Sequence, residues 1–122
     1  NSQMSKLWKR LSSEEFQILF DQGCFVSGRI VSICVQSNQS SSLVGFTMKK
    51  AKRTSVQRNY LKRKLREAFM LIQFFLPTDW HLVVIGNNAV VSTPVERISE
   101  EIIALSDLYK RKYLENTLKI SY

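Results

Sequence analysis

The feature that most constrains this chain is a strand, a long amphipathic helix and a second strand in succession. "LVGFTM", Leu43 to Met48, reads as a strand, and "WHLVVIGN", Trp80 to Asn87, reads as a buried strand ending at Gly86. Between them a helix is expected from about Ser55 to Phe75, broken by Pro77 in "LPTD". At about 100° per residue, Leu61, Leu65, Ala68 and Ile72 share one face of that helix. A stripe of this kind needs a sheet to cover, so the segment predicts a βαβ crossover.

The flanking sequence supplies further layers. "LSSEEFQILFDQG" predicts a short helix capped by Ser12, with Glu15 completing a capping box and Gly23 as the stop. "RIVSICV", Arg29 to Val35, reads as a strand, and the polar "QSNQSSS", Gln36 to Ser42, as a hairpin loop returning into Leu43–Met48. A last helix is expected with Thr93 as its cap, Pro94 in its first turn and Glu96 three residues on. Val95, Ile98, Ile102, Leu105 and Tyr109 give that helix one apolar face. The predicted class is α+β, an α/β sandwich in the order α-β-β-α-β-α, with room for one further short strand. The 122 residues suit a single domain over 1–122. Residues 1–6 are expected to be flexible or partly an expression remnant, since Asn1–Gln3 precede a methionine.

The charge is lopsided. The net charge is +8, yet Gln22 through Arg66 holds no Asp or Glu, and nine of the 18 basic residues lie between Lys49 and Arg66. That balance favours a polyanion, nucleic acid before an anionic membrane. No run reaches the ~18 apolar residues of a membrane span. "NSQMSKLWKR" lacks the apolar core of a secretory signal. Cys24 and Cys34 sit in apolar or strand-like contexts and read as reduced, which points to the cytoplasm.

On the central helix, Arg58, Lys62 and Arg66 repeat at i, i+4, i+8 beside the core stripe, with Asn59 adjacent. Like charges so spaced repel by a few tenths of a kcal/mol per pair, and no acid relieves them. Phosphates would: Arg offers a planar fork, and Asn reads a base edge or a sugar hydroxyl. Lys64 lies about 160° round from Lys62 and is expected to matter much less. A merely solvated basic face, or a membrane-surface or calmodulin-target helix, remains open from charge and period alone. Enzyme chemistry finds little support. His81 is the only histidine, no Cys/His cluster has zinc spacing, and the four glycines make no phosphate loop.

The stretch "RNYLKRKLREAF" resembles the signature R-N-x-x-K-R-x-x-R of the bacterial ribonuclease P protein family, here Arg58, Asn59, Lys62, Arg63 and Arg66. "VGFTMKK", "HLVVIGNNAV" and "FQILFDQG" resemble the neighbouring family segments in the right order, over nearly the full chain. There are departures. In "KAKRTS", Lys50 to Ser55, Arg53 and Ser55 replace a usual Gly and Ala. Val31 and Cys34 stand where the family often has Phe and Tyr, so this strand is expected to contribute less stacking.

The resemblance implies a left-handed crossover, against the general right-handed rule. It implies the protein subunit of a ribonucleoprotein endoribonuclease, whose RNA subunit removes the 5′ leader of precursor tRNA using Mg²⁺. The protein would hold no catalytic residue and no metal site of its own. Its partners would be the catalytic RNA, through Arg58, Asn59, Lys62, Arg63 and Arg66, and the precursor tRNA leader. The leader cleft would use Phe16, Phe20, Val31, Cys34, Lys49, Lys50, Lys52 and Arg53. A plain RNA-binding protein, such as a ribosomal protein, and a self-sufficient nuclease are the rival readings.

Overall fold

The computed structural model describes residues 8–121, with side chains through 112. The expectation for residues 1–6 lies outside the described residues. In chain order the elements are β1 (Lys9–Arg10), α1 (Ser13–Gln22), β2 (Cys24–Ser27), β3 (Val31–Gln36), β4 (Leu43–Met48), α2 (Ser55–Ile72), β5 (His81–Gly86) and α3 (Val95–Ser121). Short 3-10 turns cover Gln73–Phe75 and Asn88–Ser92. The mixed α+β class holds, with two short strands, β1 and β2, where room was left for one.

The five strands form one sheet in the order β1-β4-β5-β3-β2. β4 and β5 run parallel, with α2 as the connection between them, so the crossover is present. β5 runs antiparallel to β3, and β3 to β2. The predicted hairpin between β3 and β4 is therefore absent: β5 lies between them. The physical reason is burial. Leu82, Val83 and Val84 are all 0% exposed, and a run apolar on both faces belongs in the middle of a sheet. The connecting loop bends over the start of β5, with Gln39 N donating to Asp79 O at 2.8 Å and Leu43 N to Trp80 O at 3.1 Å. Asn38, at φ 61°, makes the left-handed turn that this path requires.

α2 and α3 pack on one sheet face. Leu61, Leu65, Ala68, Phe69 and Ile72 from α2 meet Ile98, Ile102, Leu105 and Tyr109 from α3 in the main core, together with Val31, Ile33, Val35 and Val84. α1 packs on the other face over a small core of Leu11, Leu19, Cys34, Leu43 and Val83. Ser12 caps α1 in the expected box with Glu15. Thr93 does not cap α3. Its hydroxyl donates backward to Ala89 O, and the Pro94 carbonyl accepts the first helical bonds, from Arg97 N at 3.0 Å and Ile98 N at 3.2 Å. The preceding 3-10 turn captured the threonine. No helix among the described residues is long and apolar enough to cross a membrane.

Candidate nucleic-acid interface

Two features position the basic helix. Thr54 caps α2, its hydroxyl accepting from Gln57 N at 3.1 Å while Gln57 Oε1 accepts from Thr54 N at 3.0 Å. The capping box starts the helix abruptly at the end of the 49–54 loop. Burial of the Leu61–Ile72 stripe then fixes its rotation. Arg58, Asn59, Arg63 and Arg66 are left exposed and Lys62 half-buried. No residue from 49 to 66 has a salt bridge among the described residues; the two there lie on α3, Arg97–Glu100 and Lys110–Asp107.

Lys62 and Arg66 form part of the lining of an open groove of about 810 Å³. Phe16 and Phe20 of α1, Lys9 and Arg10 of β1, and β4 supply the other walls. The groove exists because β1 is only two residues long. It pairs with Leu43 and Val44, and among the described residues no strand pairs with the outer edge of β4 from Gly45 onward. At Gly45 a Cβ would sit 2.5 Å from Phe16 Cε2, so the absent side chain lets that ring lie against the strand.

The aromatic side of the site is a file of three rings. Phe16 and Phe20 have centroids 5.3 Å apart, and Phe20 stacks on Phe25 at 5.8 Å with an 18° tilt. Phe25 is 53% exposed. It was missed in the sequence because β2 was not recognised, although "CFVS" sets an aromatic next to a β-branched residue, both of strand type. Beyond α1, the rank Ser27, Ser32, Ile85 and Thr47 crosses the same sheet face. Ile85 keeps part of its surface exposed on the central strand, so this part of the face is not closed over.

Val31 and Cys34 correct the predicted cleft. Both are 0% exposed, and three residues apart on a strand they face opposite sides of the sheet. Val31 belongs to the core under α2 and α3, Cys34 to the core under α1. Neither can touch a ligand in the groove. Cys34 Sγ donates to Leu19 O at 3.2 Å, and burial pushes its thiol up to about 11, with Cys24 adding to the effect.

The basic loop divides in two. Lys49, Lys50 and Lys52 are exposed. Arg53 is half-buried and ties the loop down, one nitrogen donating to Lys49 O at 2.8 Å and another to Asn88 Oδ1. Lys64 is likewise a brace. Its Nζ donates to Val90 O at 2.7 Å and Val91 O at 3.3 Å, closing the end of the 3-10 turn. His81 lies on the α1 side with Nε2 buried and without a hydrogen-bond partner among the described residues. Burial pushes its imidazole below the usual range, against a smaller opposing pull from Glu15. Among the described residues no group of three His, Cys, Asp or Glu side chains could hold a metal ion.

Fold and groove together define a small basic α+β domain in which one side of a basic helix faces an aromatic file across an open groove. Comparisons with known proteins make this specific. The family model for ribonuclease P matches residues 4–110. The ribonuclease P protein component of Streptococcus mutans is 29% identical over 117 residues, 95% of this chain and 97% of its own length. That of Streptococcus thermophilus is 30% identical over 111 residues, 88% of this chain and 99% of its own. In fold, the RNase P protein from Thermotoga maritima superposes with TM-score 0.68 at 22% identity, covering 80% of this chain and 94% of that one. The Staphylococcus aureus RNase P protein gives 0.67 at 20% identity, covering 83% and 94%. The chain belongs to the ribonuclease P protein family, which works in removal of the 5′ leader from precursor tRNA.

Proposed function

We propose that this protein docks on the catalytic RNA of ribonuclease P through the exposed side of α2 and holds the single-stranded 5′ leader in the groove between α1 and α2. Arg58, Asn59 and Arg63 meet the catalytic RNA. Lys62 and Arg66 face the groove and serve both partners where the two RNAs converge. Phe16 and Phe20, continued by Phe25, offer stacking surfaces, and Lys49, Lys50 and Lys52 neutralise leader phosphates. Arg53 keeps a supporting role, holding the loop that carries the three lysines. The bond chemistry and the Mg²⁺ belong to the RNA subunit, and the site of action is the cytoplasm.

The observation that carries this reading is the meeting of Lys62 and Arg66 with Phe16 and Phe20 around one groove. Single-stranded RNA is held by that combination, cations for the backbone and rings for the bases. A merely solvated basic face would need no aromatic partner across from it.

The test is precursor tRNA cleavage by a bacterial catalytic RNA at low Mg²⁺, with and without the protein. The protein should lower the Mg²⁺ requirement and should cut nothing alone. Cleavage by clean protein without RNA would overturn the assignment, and absence of any stimulation would favour a plain RNA-binding role. RNA affinity should also fall with salt by several log units per log unit, each phosphate contact adding roughly 0.7 to 0.9.

A further inference from the structure

Glu101, on α3, is the one acid of the described structure that holds a turn in the acid-free half of the chain. Its carboxylate accepts from three consecutive backbone N–H groups: Arg29 at 3.2 Å, Ile30 at 2.6 Å and Val31 at 2.7 Å. These residues form the turn from β2 into β3. Gly28 makes the approach possible, since a Cβ there would lie 2.9 Å from the Glu101 carboxylate. Asn87, just after β5, holds the same turn from the sheet side. Its Nδ2 donates to Arg29 O at 2.6 Å, and its backbone N donates to Ile30 O at 3.1 Å. Every backbone polar group of Arg29 is thus engaged, while its side chain is exposed and has no salt bridge among the described residues.

The turn stands beside the loop of lysines. Lys49 N donates to Gly86 O at 2.8 Å, so the end of β4 abuts the end of β5, and the end of β5 abuts the turn. Two strand spacings separate Arg29 from Lys49, about 10 Å. That is a backbone spacing, short enough for one extended polyanion to meet side chains from both segments, on opposite sides of the end of β5.

We propose that Arg29 is a further RNA phosphate contact, paired with Lys49 across the end of β5, and that Glu101 is the positioning residue that holds it there. This rests on the reading that the chain binds RNA. It adds a residue outside the helix and the basic loop, and it gives an acid a constructive part in binding a polyanion.

Net charge and positioning make opposite predictions for Glu101. Glu101→Gln raises the net charge by one from +8, which alone would tighten RNA binding. An amide, however, offers one accepting oxygen and turns a donor toward the three N–H groups, so the turn loosens and Arg29 is released.

The experiment titrates a fluorescent single-stranded RNA ten-mer with wild type, Arg29→Ala, Glu101→Gln and the double variant over a range of salt, with thermal unfolding of each. Arg29→Ala should weaken binding roughly two- to fivefold, the range of an exposed ion pair. It should also flatten the salt slope by about 0.7. Glu101→Gln should weaken binding despite the added charge, and the double variant should bind no worse than Arg29→Ala. If Glu101→Gln fails to fold, Arg29→Ala alone decides: unchanged affinity and slope overturn the proposal. Tighter binding by a folded Glu101→Gln removes the positioning role. Wild type that does not bind the ten-mer would instead defeat the reading of the chain as an RNA binder.

Discussion

The two faces of the sheet are built on different terms. Under α2 and α3 lies a deep apolar core, with Leu65, Val84, Ile98 and Ile102 all 0% exposed. Under α1 lies a thin one of five buried residues, bordered by half-buried Phe16, Phe20 and Ile85. The deep face carries the stability, which leaves the thin face free to keep a groove open. Closing that groove with a longer β1 would bury more surface and remove the site.

The largest expected effect tests this division directly. Ile102→Ala, in the deep core, should cost about 2–5 kcal/mol of stability. Cys34→Ala, in the thin one, should cost about 1 kcal/mol. Denaturant unfolding measures both, and equal losses would break the comparison.

Binding should follow the groove between α1 and α2 and not the rest of the deep face. Arg66→Ala, at the groove, should weaken RNA binding on the order of 1–3 kcal/mol, as loss of a charge-assisted hydrogen bond does, with an unchanged unfolding temperature. Arg97→Ala, which breaks an exposed pair on α3, should leave binding as it was. Equal binding losses in folded variants would reduce the groove to net charge.

A third test concerns acid. His81 is depressed in the folded state below its ordinary 6.5, so the unfolded chain binds the proton more readily. Its contribution to stability is full above pH 6.5 and declines as the pH falls through that value toward the folded-state pKa. The unfolding temperature should therefore drop between pH 7.5 and 5.5, and His81→Gln should drop less. Identical pH profiles would remove His81 from the account.

The smallest effect is chemical. At pH 8 a thiol reagent should label exposed Cys24 and spare Cys34, whose thiol is buried and raised to about 11. Labelling of both in the native protein would mean that α1 lifts off its face.

The deep face was legible in the sequence because a helix lying on a sheet repeats its apolar residues every three or four positions. Leu61, Leu65, Ala68 and Ile72 on α2, and Ile98, Ile102, Leu105 and Tyr109 on α3, were readable on that basis alone. The same period separated Lys62 and Arg66 from the core. What failed was information held between distant segments. Adjacent strands joined by a polar loop read as a hairpin, and nothing local to either reveals that β5 separates them. Val31 and Cys34 were assigned to one cleft by resemblance, although their odd spacing already places them on opposite faces. Arg53 read as a leader contact and Lys64 as a charge off the stripe, since the Asn88 amide and the Val90 and Val91 carbonyls that hold them lie far along the chain; only Lys49 O, which also accepts from Arg53, is local. Phe25 was lost with the unread strand that carries it.

The place of β5 also bears on how the chain acquires its structure. β3 and β4 are made early, but each must wait for residues 81–86, because the pairs Val31↔Gly86 and Leu43↔His81 join segments far apart in sequence. Until then two strands present bare inner edges, the kind that recruit other chains. A sheet whose central strand arrives last depends on long-range pairing and closes slowly. During synthesis, α2 must leave the ribosome before the strand that completes the sheet, so the basic helix is exposed on an unfinished domain. A growing chain with that many uncompensated cations beside the ribosome's own RNA would be held by charge before it is held by its fold.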